Sequence, residues 1–228
     1  MGNDAFIVRH QSIPAVSDGS SDRAIINKFA SQVCTDLILQ FLLSGYMFHM
    51  QTGTEDAPVT TNGPLDDTKP IMVADCTSGA MMAILYEVSL SAHGTSTLIQ
   101  AMLEADMDKA RYSSGGTAFV PEQMNSAATG AAAANGTFYE ISGGDITALA
   151  KSTVPASIEI ARKSLSEDAI GDPAGAQMAI AEVFSIRNRL SPILTNPGSL
   201  CGHFGSATAD VTGYASLDFA QFPAANAW

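Results

Sequence analysis

The sequence predicts a mainly β chain, an antiparallel β-sandwich with one α-helix near its N-terminus. Three observations lead there. After Gly45 the chain breaks into short apolar runs separated by clusters of Gly, Pro, Asn, Asp and Ser. Several runs alternate apolar and polar residues with a period of two, as in a sheet with one face in a core. Before Gly45, by contrast, apolar residues recur at steps of three and four. With 228 residues, 46% of them hydrophobic and 15% charged, the chain can build a sizeable core. All-β folds often use this length for a single domain.

Residues 1–23 read as an N-terminal arm: a short apolar patch (Phe6, Ile7, Val8), then Pro14 and the turn-rich stretch from Ser17 to Asp22. Residues 24–228 read as one β-sandwich domain that includes a helix over 24–43. Asp22 suits the cap of that helix, and Ile26, Phe29, Ala30, Val33, Leu37 and Phe41 form its stripe. Ile38, Leu39, Leu42 and Leu43 widen the stripe until it nearly encircles the helix. Such a helix has to be covered on several sides, by its own domain or by another chain.

Strands are expected over 46–52, 69–76, 81–92, 97–108, 137–142, 156–163, 178–187, 199–204 and 212–221. In 84–90, Ile84, Tyr86, Val88 and Leu90 share one face opposite Glu87 and Ser89. In 99–108, Ile99, Ala101, Leu103, Ala105 and Met107 face in, while Gln100, Glu104, Asp106 and Asp108 face out. Towards the end, Ala215, Leu217 and Phe219 alternate with Ser216, Asp218 and Ala220. The connections 53–68 and 109–136 exceed ordinary hairpin loops. The second is weakly charged and rich in Ala, Gly and Ser, and is expected to lie against a partner chain.

Charge and motifs narrow the function. Eleven Lys and Arg against 23 Asp and Glu give a net charge of −12, which argues against nucleic-acid partners and anionic membrane surfaces. The N-terminus lacks the basic and apolar regions of a signal peptide. Asp36, Gln40 and His49 interrupt the most apolar window, so a soluble chain is expected. Cys34, Cys76 and Cys201 are odd in number and widely spaced, and read as buried free thiols.

No nucleophile elbow, phosphate-binding glycine loop or zinc-spaced cluster occurs in the sequence. Cys201 and His203 would share one face of a strand, as packing residues. The row Glu104, Asp106 and Asp108 has the oxygen chemistry of a hard-cation site, but alternate side chains on a sheet stand roughly 7 Å apart. It reads instead as a solvated or inter-chain ion-pairing strip, partly neutralised by Lys109 and Arg111. If the strip faces like charges across an interface, assembly should tighten towards pH 5. The site-by-site reading yields no catalytic residue, no cofactor-binding residue and no metal site. The features it does yield are suited to interaction.

Five segments carry a resemblance: GTEDAPV (53–59), LDDTKP (65–70), KARYSSGGTAFVPEQMN (109–125), GDITALAK (144–151) and PGSLCGHFGSATADVTGYASLDF (197–219). Over roughly residues 45–222 the chain resembles a family of β-sandwich structural proteins of tailed-bacteriophage virions, also met in viral metagenomes. In that family an R-Y-S-S-G-G-T-A segment follows a strand hairpin, matched here by Arg111 to Ala118, and a P-G-S-L opening leads to the closing strand, matched by Pro197 to Phe219.

The resemblance implies a jelly-roll subunit without enzymatic activity or cofactor, located in the virion as a capsid or capsid-decoration component. Its implied partners are copies of itself, in a symmetric homo-oligomer such as a trimer, and other virion proteins such as the major capsid protein. The interface candidates are Ile26, Phe29, Val33, Leu37 and Phe41 on the helix, with Tyr112 and Phe119 in the long loop. A second reading is a receptor- or glycan-binding sandwich of a phage tail or surface, for which Tyr112, Phe119 and Trp228 are the loop aromatics on offer. A third, an esterase-like enzyme with a dispersed triad, has no support in the spacing.

Overall fold

The computed structural model of the chain describes residues 41–54, 56–61, 64–76, 80–93, 99–127, 136–165, 179–185, 191–206 and 210–223. Phe41–Leu43 form the last turn of a helix; the rest of the helix expected over 24–43, and the arm before it, lie outside the described residues. The turn ends in a Schellman arrangement. The Tyr46 amide donates to the Phe41 carbonyl, the Gly45 amide donates to the Leu42 carbonyl, and Gly45 takes a left-handed φ of 74°. Phe41 and Tyr46 then pack together with Met47 and Ala220, the apolar contact that accompanies this motif.

Fifteen strands follow among the described residues. In chain order they are β1 (Met47–Thr52), β2 (Val59–Thr60), β3 (Met72–Cys76), β4 (Ala80–His93), β5 (Ile99–Asp106), β6 (Tyr112–Gly115), β7 (Thr117–Ala118), β8 (Glu122–Gln123), β9 (Gly136–Glu140), β10 (Ile146–Ala148), β11 (Ser157–Leu165), β12 (Ala179–Ser185), β13 (Ile193–Thr195), β14 (Ser199–Ser206) and β15 (Thr212–Pro223). All nine expected strands are present. The six additional ones are two to four residues long, too short to show a period.

Eight strands define the topology. β1 pairs with β15, β3 with β14, β4 with β12 and β5 with β11, all antiparallel. These nested pairs are those of one long hairpin rolled up on itself. The roll produces two sheets, in the orders β12-β4-β15-β1 and β11-β5-β14-β3. This is the jelly roll. The insertion between β5 and β11, residues 107–156, extends both sheets along one flank: β8 adds to β1, while β9 and then β7 add to β3. The small β6–β10 pair belongs to the same insertion.

The core lies between the sheets. From β5 come Ile99, Ala101, Leu103 and Ala105, as the alternation requires, and from β15 come Ala215, Leu217 and Phe219. Phe219 stacks with Phe48 and Phe138 at centroid distances of 5.7 and 5.5 Å. Burying each such side chain contributes about 1.5–3 kcal/mol. Cys76 and Cys201 are buried thiols.

Two expectations are corrected. The period of two over 84–90 does not run through, because the β4–β15 register passes from Glu87 to Leu85 and then to Ala83, skipping Tyr86 and Ile84 at two irregularities. Met107 lies past the end of β5 and is exposed. The backbone of the described part of loop 109–136 pairs within its own chain, with β1, β9 and β10.

Gly115 and Gly116 make that insertion possible. Both have left-handed φ, +80° and +67°, and a Cβ on Gly115 would stand 2.0 Å from the Asp145 carbonyl oxygen. Gly115→Ala should therefore lower unfolding free energy by about 2 kcal/mol or more, read from urea denaturation. A loss within error of zero would mean that this crossing of the chain is not tight.

Candidate functional site

Among the described residues, a concentration of ionisable groups lies on the outer face of the β11-β5-β14-β3 sheet. Alternation fixes which residues appear there. Glu104 and Asp106 come from β5, Ser199, Cys201 and His203 from β14, and Asp75 from β3. All six are buried, because the insertion folds back over this face and supplies Arg111, Lys151 and Ser152. Arg111 itself is only 1% exposed.

Each carboxylate on the sheet joins it to the insertion. Glu104 accepts from Arg111 Nη1 at 3.0 Å through one oxygen and from Lys151 Nζ at 3.0 Å through the other. Asp75 accepts the backbone amides of Arg111 and Tyr112, at 3.2 and 3.1 Å. Asp106 accepts the amides of Ser152, at 2.7 Å, and Asp108, at 3.1 Å. Arg111 completes its donors on the Leu149 and Asp67 carbonyls. Its charge is thus met by one carboxylate and several dipoles, which is what a guanidinium cut off from water requires.

The pKa shifts follow. Burial works to raise the Glu104 carboxyl, but the hydrogen bonds from Lys151 and Arg111 outweigh it and hold the group below its ordinary value. The hydrogen bond to Glu104 raises Lys151. Burial pushes the Cys201 thiol up to about 12 and the His203 imidazole down to about 4. His203 Nε2 stands 3.6 Å from Glu104, and neither ring nitrogen has a hydrogen-bond partner. A protonated thiol and a neutral imidazole, both sealed from solvent, are equipped for packing and not for attack on a substrate.

This geometry corrects the reading of the acidic row. Glu104 and Asp106 do point away from the sandwich core, but the insertion covers them and their oxygens are taken by N–H donors of the same chain; Asp108 alone is exposed. The row is not an inter-chain strip, and the expected tightening towards pH 5 loses its basis. Among the described residues no group of three His, Cys, Asp or Glu is arranged to hold a metal ion.

The interface candidates fare unequally. Ile26, Phe29, Val33 and Leu37 lie outside the described residues. Phe41 is buried against Met47 and Ala220 of its own chain. Tyr112 stacks on Tyr139 with centroids 3.5 Å apart, and Phe119 packs on the core. Tyr112 and Phe119 both keep part of their surface exposed. Trp228 lies outside the described residues.

Sequence reasoning missed the exposed apolar side chains of Val154, Val120 and Met124, at 83%, 77% and 43% exposure. Isolated apolar residues in loops leave no periodic signal. A cleft lined by Thr61, Asp66, Lys69 and Asp145 has room for about one water molecule. No protein-family model, curated protein or solved structure matches the chain.

Arg111→Ala should cost about 3–5 kcal/mol in urea unfolding, because it leaves the Glu104 carboxylate buried with one cation fewer. A loss below about 1 kcal/mol would mean the ion pair does not hold the insertion. Acid acts in the same place. His203 is neutral when folded and takes up a proton at its ordinary value of 6.5 when unfolded, so stability falls as pH drops from 6.5 through about 4. Glu104, lowered when folded, adds to the loss over the bottom of that range. His49 runs the other way, raised by its 2.6 Å bond to Asp218, so the profile is best read as a difference. Against His203→Gln, the wild type should lose on the order of 3 kcal/mol more between pH 7 and pH 4. Parallel profiles for the two proteins would contradict the assignment.

Proposed function

We propose that this chain is a non-enzymatic structural subunit of a virus particle, a capsid or capsid-decoration component of a tailed bacteriophage that assembles with copies of itself. The observation that carries the reading is the strand order, two four-stranded sheets in the jelly-roll arrangement, both widened by an insertion. Jelly rolls serve as capsid subunits, lectin domains and cupins, so the fold by itself is an analogy.

Two features favour the capsid use. The space between the sheets is filled by Phe48, Met50, Phe138, Leu217 and Phe219, where a cupin keeps a ligand cavity. The loop aromatics that a sugar site would present, Tyr112 and Phe119, are engaged with Tyr139 and with the core. The resemblance of its sequence segments to phage virion proteins favours the same reading. Large apolar side chains meanwhile stand exposed on the surface, and a chain that assembles has a use for them.

Light scattering on the size-exclusion eluate, together with negative-stain micrographs, tests the reading. Assemblies of defined subunit number are expected at micromolar concentration. A stable, well-folded monomer under those conditions would refute it.

A further inference from the structure

Two short pieces of chain, tied to each other, close over the outer face of the β11-β5-β14-β3 sheet. One is the β6–β10 ribbon with its flanking residues, Arg111 and Leu149 to Ser152; the other is the loop over Asp66, Asp67 and Thr68 that leads into β3. The Ala148 amide donates to the Thr68 carbonyl at 2.8 Å, Arg111 Nη2 donates to the Asp67 carbonyl, and Lys151 Nζ stands 3.6 Å from the Asp67 carboxylate. The ribbon pairs with neither large sheet. It is fastened to them through Asp75, Glu104 and Asp106, each a carboxylate that accepts from N–H donors of the ribbon or its flanks.

Little apolar burial backs these ties. Of the ribbon's own residues, Ile146 and Ala148 are the buried apolar ones, while Ser113, Ser114 and Thr147 are exposed. A two-stranded pair is marginal by itself. A segment held by few apolar contacts also opens more readily than a packed core, here the layer of Leu103, Leu217 and Phe219 between the sheets.

His203 lies under this cover with no exposed side-chain surface. Glu104 of β5 faces it at 3.6 Å, Arg111 faces it from the insertion, and Asp66 and Asp67 face it from the loop; Cys201 stands two positions away on its own strand. Lys151 meets the other oxygen of Glu104. Neither ring nitrogen makes a hydrogen bond of ordinary geometry among the described residues. Burial pushes the imidazole down to about 4, against the pull of the Glu104 carboxylate. Once the cover lifts, water reaches the ring and its ordinary value of 6.5 returns. The lifted form then takes up a proton that the closed form refuses, so lifting is favoured as pH falls from 6.5 towards 4. Glu104 adds to the effect at the acid end, because lifting removes the donors that hold its carboxyl low. His49 and Asp218 sit on the other sheet and do not take part.

We propose that the β6–β10 ribbon and the 66–68 loop form an acid-released latch, a cover that opens as a unit while the sandwich stays folded, held open by a proton on His203. Opening bares the polar face of the sheet and frees Arg111 and Lys151 from Glu104. The latch belongs to the single chain and does not depend on what the chain assembles with.

Hydrogen–deuterium exchange of the full chain, read by mass spectrometry from pH 7.5 to pH 5 and corrected for the intrinsic pH dependence of amide exchange, tests this. Peptides carrying the Arg111, Tyr112, Ala148 and Ser152 amides should be less protected than those of β5 and β15 by about tenfold or more at every pH, which sets their opening apart from global unfolding. Protection of the ribbon should fall about twentyfold over the range, bending near pH 6.5 and then dropping about tenfold per pH unit. His203→Gln, which cannot take up the proton, should flatten that fall.

Equal protection of ribbon and core, or ribbon protection that does not change with pH, would overturn the latch. A folded His203→Gln that keeps the full wild-type fall would overturn it too. Should that variant not fold, the wild-type profile decides: a fall that begins only below pH 5 would assign the response to carboxylates and remove His203 from it.

Discussion

An arginine side chain closed off from water governs this structure. Arg111 sits under the insertion with its guanidinium on Glu104, and removing either partner would leave a charge where little can solvate it. The geometry around it follows from that demand. Asp75 fixes the backbone that delivers Arg111, Lys151 holds the second oxygen of Glu104, and Leu149 and Asp67 supply carbonyls to the remaining donors. A strip of polar side chains on the outside of a sheet would ordinarily face solvent. Here it forms a second interior, polar where the first is aromatic, and the insertion becomes a third layer on the sandwich.

This arrangement explains why the chain can carry a long excursion between two adjacent strands. A connection of this length costs closure entropy and needs compensating contacts to stay folded. Part of the compensation is backbone pairing, in β7, β8, β9 and β10, and part is the carboxylate clamps. Gly115 and Gly116 let the chain pass Asp145 and Ile146 at a separation that no side chain would permit. The run of Arg111, Tyr112, Gly115 and Gly116 thus has a physical reason at each position: a buried cation, a ring stacked on Tyr139, and two residues in left-handed conformation.

The sandwich was legible because its signal is periodic. Ile99, Ala101, Leu103 and Ala105, like Ala215, Leu217 and Phe219, reveal their face by alternation alone. The Schellman end at Gly45 was marked by a glycine after the last apolar turn. The buried charge layer was not legible for a definite reason. Alternation places Glu104, Asp106, Cys201 and His203 on the outer face but carries no information about what covers that face. A buried glutamate and an exposed one look the same in a sequence. The clue available was Arg111 itself, which with Lys109 supplies the cations of an otherwise weakly charged loop, seven positions from Glu104. The exposed side chains of Val120 and Val154 are harder still, since they sit in loops where neighbouring residues impose no pattern.

The pairing of the first strand with the last has a practical consequence. Met47 lies opposite Ala220, so Phe41 and Pro223, where the described body of the fold starts and stops, emerge at the same pole of one sheet. Cargo fused upstream of the first or downstream of the second would be carried to that pole side by side. A short peptide bridging them would turn the roll into a closed loop of chain, leaving the molecule to be cut open elsewhere without disturbing either sheet.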